Sequence, residues 1–221
     1  MAATVTGIAL AVVAVGILIG VQRAHAQRVA AERRALLADA LPLLDDASIS
    51  QHGIGYPTLN GADRGHRVTI QLVVDSLTLR RLPRLWLVVS VFRPTGLAEP
   101  VDILRDAQVP AMVTPSDRFR HVHPTPAEWP AEVRVASPGP SPPDLRPFDA
   151  AAAVLGEPET KGILAGPGGV RIVQELARGD RAHWRVVRRV KFDVDPLPAS
   201  RVARLLHAAQ QVAAHEPAPT V

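Results

Sequence analysis

The stretch that decides the fold is Leu85-Trp86-Leu87-Val88-Val89-Ser90-Val91-Phe92. Both alternating faces of this stretch are apolar, a pattern typical of a strand in the middle of a sheet that is covered on both sides. Residues 68–75 alternate at most positions between apolar and polar side chains, which predicts a half-buried strand next to it.

Farther along the chain, residues 162–165 and 170–176 flank the turn Gly166-Pro167-Gly168-Gly169 and predict a β-hairpin. A phosphate-binding loop would instead lead into a helix. Residues 183–192 predict a further strand, and residues 198–214 predict an amphipathic helix. The apolar face of that helix consists of Val202, Leu205, Leu206, Ala209 and Val212. We therefore expect an α+β fold with a mostly antiparallel sheet and helices packed on one face.

The segments between these elements carry weaker patterns. Residues 48–65 are glycine-rich and polar, and the strand patterns begin after them. Residues 94–130 are irregular and interrupted by prolines, with a helical turn predicted over 102–107. A short strand is predicted over 132–135 and a short helix over 148–155.

The first 22 residues carry no charged side chain, and Arg23, Arg28, Arg33 and Arg34 follow closely. A helix of residues 2–22 is about 30 Å long, which matches the hydrocarbon core of a bilayer. The arginines place the C-terminal side in the cytoplasm. The prediction is a single-pass, uncleaved signal anchor in a bacterial inner membrane.

Cleavage of a signal peptide after Ala26 is the alternative, because Ala24-His25-Ala26 resembles a small-x-small cleavage site. The domain would then be periplasmic. A basic region before the apolar run is missing, and Arg23 stands between that run and the site, so the anchor is the favoured interpretation. Within the anchor, Gly16 and Gly20 form a GxxxG motif, which predicts a homodimer through the membrane span.

These patterns divide the chain into a transmembrane helix (1–22), a juxtamembrane helix (23–45), a first β-rich part (46–136), a proline-rich linker (137–147), a second α+β part (148–214) and a disordered tail (215–221). The linker has five prolines in eleven residues, which makes it stiff.

Composition excludes several kinds of site. The chain has no cysteine, so disulfides and thiolate metal sites are ruled out. Arginine greatly outnumbers lysine among the 25 basic residues, which is typical of a GC-rich bacterial genome. The net charge of +4 suits contact with anionic lipid but is small for a protein dedicated to nucleic acid.

No catalytic, cofactor-binding or metal-binding residues are predicted. His121 and His123 share one side of an extended segment with Asp117 nearby, but spacing fixes no third metal ligand. No nucleophile elbow, phosphate loop or dinucleotide fingerprint occurs. The nameable catalytic candidates are Asp75, His121 and His123.

A basic face is predicted on the strand over 183–192. Arg185, Arg189 and Lys191 project to one side of that strand, and Arg171 stands on its expected neighbour. Such a face suits an anionic lipid, an acidic partner or nucleic acid, whereas a simply solvated outer face explains it as well.

The run Tyr56-Pro57-Thr58-Leu59-Asn60-Gly61, the strand patterns at 68–75 and 82–87, and the segments 161–164 and 169–171 resemble a group of single-span membrane proteins of alphaproteobacterial type. The resemblance covers most of residues 50–195. It implies the architecture of a membrane-anchored domain and brings no activity and no catalytic residues with it.

Three functions follow as hypotheses. The first is a non-enzymatic domain on the cytoplasmic side of the membrane that serves as a scaffold or accessory subunit for a protein partner. The second is an enzyme acting at the membrane on a polar or lipid-linked substrate. The third is a binding module that uses the basic face.

Overall fold

The computed structural model describes residues 2–75, 82–106, 119–180 and 192–214, with side chains from residue 13 onward. It begins with helix α1, Ala2–Ala35, and continues with a 3-10 helix over Ala38–Leu43. Arg33 and Arg34 occupy the last turn of α1, where positive charge complements the helix dipole. The segment predicted as one helix over 23–45 is therefore split, and Pro42 lies in its 3-10 part. Proline disfavours a continuous α-helix through this segment, because it lacks an N–H and restricts the residue before it.

Nine described strands form one sheet. Their bounds are β1 Asp45–Ser50, β2 Thr58–Asp63, β3 His66–Asp75, β4 Arg84–Phe92, β5 Val101–Arg105, β6 His121–His123, β7 Val133–Ser137, β8 Thr160–Gly166 and β9 Gly169–Arg178. The order across the sheet is β1-β2-β3-β4-β9-β8-β5-β7-β6, and each neighbouring pair is antiparallel. The predicted α+β class with an antiparallel sheet is confirmed.

The middle of the sheet joins strands that are far apart in sequence. β4 pairs with β9 along most of its length, and β5 lies between β7 and β8. Strands from residues 46–136 and from residues 148–214 therefore share one sheet. β8 and β9 form the predicted hairpin, closed by the pair Gly166 and Gly169.

The main core lies on one face of the sheet. A 3-10 helix over Arg146–Ala151 leads into α2, Ala152–Gly156, and α3 spans Ala199–Ala214. α3 packs against β4, β9 and both 3-10 helices, so the predicted amphipathic helix is confirmed. Its buried face meets the inward side chains of β4, which are Leu85, Leu87, Val89 and Val91.

The opposite face of β4 holds a smaller apolar cluster. Trp86 and Val88 pack there with Val173 of β9, and all three side chains are buried. β4 is thus buried on both faces, as its sequence predicts.

Two segments differ from the sequence predictions. Strands β1 and β2 cover residues 48–50 and 58–63 of the glycine-rich segment 48–65, and residues 102–105 belong to β5 instead of a helical turn. β1 is largely exposed, so it lacks the apolar alternation of a half-buried strand. Strand β5 pairs with two strands that are distant in sequence, and this pairing satisfies its backbone hydrogen bonds. The local sequence does not reveal such pairing.

Among the described residues, no helix combines the length and the apolar character that are needed to cross a membrane. The predicted span over residues 1–22 is therefore not confirmed by the structure.

Candidate functional site

The predicted basic face is described only at Arg171. This residue lies half-buried on β9, and its Nε donates a hydrogen bond to Ser90 Oγ at 3.3 Å. Arg185, Arg189 and Lys191 lie outside the described residues. The structure therefore places one residue of this face, and the face itself stays a prediction.

The predicted dimerisation residues Gly16 and Gly20 both lie on α1. A Cβ added at either position would meet no atom within 4 Å. Packing within the chain therefore does not require glycine at these two positions.

The two candidate histidines lie on the edge strand β6, and His121 is exposed whereas His123 is buried. Asp117, their expected neighbour, lies outside the described residues. In the part of the chain that the structure describes, no three histidine, cysteine or acidic side chains are grouped so that they could hold a metal ion.

His123 forms a buried pair with a serine. Its Nε2 lies 2.7 Å from Ser137 Oγ, and that hydroxyl donates to the carbonyl of Gly139 at 2.9 Å. Because a hydroxyl has one hydrogen, His123 Nε2 is the donor in this arrangement. Ser137 also lines a largely apolar cavity of about 360 Å³ beside the proline-rich segment. No carboxylate in the described residues orients the His123 ring, as a catalytic triad would require.

A second cavity, of about 380 Å³, is lined mainly by charged and polar groups and is called the polar pocket below. It lies where the ends of β4, β5, β8 and β9 come together. Its described lining consists of Arg84, Trp86, Arg105, Asp106, Glu132, Pro158, Glu159, Thr160, Lys161, Glu175 and Arg178.

The arginines of the polar pocket are bonded to carboxylates. Glu175 accepts hydrogen bonds from Arg84 at 2.7 Å and from Arg178 at 2.5 Å. Arg105 pairs with Glu132 at 2.5 Å and donates to the carbonyl at the C-terminal end of α2. Each of these three guanidinium groups therefore already has a carboxylate partner, and two of them share Glu175.

Lys161 differs from the arginines, because it is only 5% exposed and is bonded to backbone instead of to a carboxylate. Its Nζ donates to the carbonyls of Arg105 at 2.9 Å and Asp106 at 2.7 Å. Burial lowers the pKa of Lys161 to about 8, although the negative charge of Asp106 acts in the opposite direction. The strand pairing of β8 with β5 brings this lysine to the end of β5.

Two further buried groups near Lys161 lack hydrogen-bond partners. Asp102 on β5 is 1% exposed, and burial raises its pKa to about 6, against the opposing charges of Arg134 and Lys161. In the described residues, neither Asp102 Oδ2 nor Trp86 Nε1 has a partner. Such orphaned buried groups are rare in folded proteins and mark this region as unusual.

Nothing in the local sequence singles out Lys161 or Asp102 as site residues. Both lie in strands whose partners are distant in sequence, and burial follows from that pairing. The one available signal is rarity, because Lys161 is one of only two lysines in the chain.

Comparison with known proteins gives little. No protein-family model matches this chain, and no curated protein matches it either. Among solved structures, the mycobacterial trehalose monomycolate transport factor A, TtfA, is similar with a TM-score of 0.39 and 13% identity, over 87% of this chain and 98% of its own. A likeness of that size supports no statement about function.

Proposed function

We propose that this chain is a non-enzymatic domain, anchored in a bacterial inner membrane by α1, that serves as a scaffold or accessory subunit for a protein partner. One observation carries the proposal. The large apolar side chains of α1 from residue 13 to residue 21 are 44% to 62% exposed, and they are Val13, Val15, Ile17, Leu18, Ile19 and Val21. A continuous apolar surface of this kind is typical of a membrane or protein contact.

The sequence around these side chains favours lipid as their environment. Residues 2–22 are uncharged, and a helix of that length extends for about 30 Å. Arg23 and Arg28 follow directly, where basic side chains favour the cytoplasmic boundary. The sheet domain would then lie on the cytoplasmic side, in line with the resemblance to single-span bacterial membrane proteins.

The contacts of the last turns of α1 support a scaffold. Gln51 Nε2 donates to the carbonyl of Ala30 at 3.1 Å, and Arg33 donates to the carbonyl of Ile54. The Arg33 guanidinium also lies 4.4 Å from the centre of the Tyr56 ring. These contacts fix the end of α1 to the loop after β1, so the domain would hold a defined position relative to the membrane.

Extraction of native membranes at alkaline pH tests the anchor. We expect the full-length chain to stay in the membrane pellet, and a chain with both Val15→Arg and Leu18→Arg to move to the supernatant. The matched control is Val15→Ala with Leu18→Ala, which keeps the helix uncharged and should stay in the pellet. Release of the unsubstituted chain would overturn the anchor.

A topology reporter fused after Leu44 tests the orientation. Activity of a cytoplasmic reporter agrees with the proposal, whereas activity only of a periplasmic one contradicts it and favours the cleaved alternative. Crosslinking followed by isolation from native membranes tests the scaffold role. A stoichiometric protein partner supports that role, and its absence under several conditions counts against it.

The homodimer through Gly16 and Gly20 belongs to the same proposal. Gly16→Leu with Gly20→Leu should abolish crosslinking between two copies in the membrane, because bulky side chains keep helix backbones apart. Ala14→Leu is the control on the same helix. Equal crosslinking in all three chains would contradict the dimer.

One observation favours an enzyme as the second candidate, namely the Ser137 and His123 pair beside the apolar cavity, in which His123 can act as a base once the Ser137 hydroxyl turns from the Gly139 carbonyl to His123 Nε2. A fluorophosphonate probe tests it, because this reagent labels serines that a neighbouring base activates. Labelling that Ser137→Ala removes and Ser141→Ala keeps would support an acyl-transfer enzyme, since both serines line the same cavity. Absence of labelling in the folded chain would leave the pair a structural contact.

The basic face is a third candidate, and only its sequence supports it. Reversing the charges of Arg185 and Arg189 should weaken binding to anionic vesicles if this face is a binding site. Unchanged binding would indicate a solvated outer face.

A further inference from the structure

The polar pocket contains two buried hydrogen-bond donors that lack full partners. An ammonium group has three N–H donors, and carbonyl oxygens account for two of those on Lys161. The indole N–H of Trp86, a residue only 1% exposed, has no acceptor in the described residues. A buried donor without an acceptor costs about 1–3 kcal/mol. Both groups therefore favour an added acceptor.

The charged side chains of the pocket disfavour an acceptor with many negative charges. Arg84 and Arg178 share Glu175, and Arg105 holds Glu132. Among the described lining residues, Lys161 is then the cation with no carboxylate at hydrogen-bond distance. The described lining carries four basic and four acidic side chains, so a polyanion would be repelled by the carboxylates, whereas one small anionic group needs only the remaining N–H donor of Lys161.

We propose that the polar pocket binds one oxyanion group, a carboxylate or a phosphate, whose oxygens accept hydrogen bonds from Lys161 Nζ and Trp86 Nε1. The volume of about 380 Å³ lies within the range of small-molecule sites, about 300–1,000 Å³. A free metabolite and a lipid headgroup can both supply this group. The site goes beyond the anchor and scaffold proposed above and stands whether or not they do.

Titration of the full-length chain tests the site and its source. The chain is placed in nanodiscs of phosphatidylcholine and titrated with acetate or inorganic phosphate, and in a separate arm it is placed in nanodiscs that contain phosphatidylglycerol. The ¹⁵N indole signal of Trp86, assigned by its loss in Trp86→Phe, reports an acceptor at the nitrogen, and calorimetry gives the affinity. A response to free anions indicates a soluble ligand, and a response only to phosphatidylglycerol indicates a headgroup.

Substitutions test whether the polar pocket is where the anion binds. Lys161→Met should weaken binding at least tenfold, and Trp86→Phe should weaken it severalfold in calorimetry. Arg67→Met is the matched control, because it removes one positive charge beside Phe92, at the far end of β4 from Arg84. That end is roughly 26 Å away at about 3.3 Å per residue. If Lys161→Met does not fold, the affinity of Trp86→Phe measured by calorimetry is the deciding result. No binding in any arm, or equal binding by the folded variants and the unsubstituted chain, overturns the proposal.

Discussion

Asp102 shows how much one residue's surroundings contribute to stability. Its pKa is raised to about 6 by burial, whereas an unfolded chain gives it a value near 3.8. The folded state therefore binds more protons between these two pH values, and the free energy of unfolding falls as pH rises through this range. The stabilising contribution is fully present below about pH 4 and is lost above about pH 6. A difference of about two pKa units corresponds to about 3 kcal/mol.

We expect Asp102→Asn to remove this pH dependence, because an amide does not titrate. The quantity to measure is the unfolding free energy of the unsubstituted chain minus that of the variant, determined in urea from pH 4 to pH 8. This difference should decrease as pH rises. Asp149→Asn, at an exposed position, is the control and should give a much flatter difference. A flat difference for Asp102→Asn would contradict the assigned pKa.

Gly169 is the second residue with a specific requirement. It begins β9 with a φ of +151°, a conformation that favours glycine, and a Cβ there would clash with the carbonyl oxygen of Val91. We expect Gly169→Ala to lower the unfolding free energy by at least about 2 kcal/mol. Gly168→Ala in the same turn is the control, since its Cβ would meet nothing within 4 Å. Equal melting temperatures for both variants would show that the turn adapts.

At the scale of elements, sequence predicted the strands and the helix that carry strong periodicity. β4, the hairpin of β8 and β9, and α3 all follow from apolar patterns or turn residues. β1, β2 and β5 were not predicted, because short strands depend on their neighbours more than on their own residues. Periodicity reports which face of an element is buried, and it cannot report which distant strand lies beside it.

α3 provides the test of the main core. Leu205 is fully buried where this helix packs on the sheet, so Leu205→Ala should lower the unfolding free energy by about 2–5 kcal/mol. Gln211→Ala on the exposed face of α3 should change it by less than about 0.5 kcal/mol. Chemical denaturation monitored by tryptophan fluorescence measures both values. A small effect of Leu205→Ala would mean that α3 contributes little to the core.

At the scale of the whole molecule, the polar pocket could not be predicted from sequence. Its lining comes from β4, β5, β8 and β9, whose residues are up to about 90 positions apart in the chain. Lys161 and Asp102 become unusual only when the sheet removes them from water, because burial is what shifts their pKa values. A site of this kind depends on topology, so local motifs carry no trace of it.

In the whole molecule, the proposed anchor is distinct from the folded domain. The exposed side chains of α1 from residue 13 to residue 21 belong to no described core cluster, whereas Arg33 and Ala30 bond to the loop that follows β1. We therefore expect a chain lacking residues 2–22 to leave the membrane fraction and to melt within about 2 °C of the full-length chain in the same detergent. A chain lacking residues 2–35 should melt several degrees lower, because it also loses these two contacts and the cation–π contact of Arg33 with Tyr56. Calorimetry and membrane fractionation measure the two effects. Unfolding of the shorter deletion would show that residues 2–22 stabilise the domain itself, and the anchor would then have a structural role in addition to its attachment to lipid.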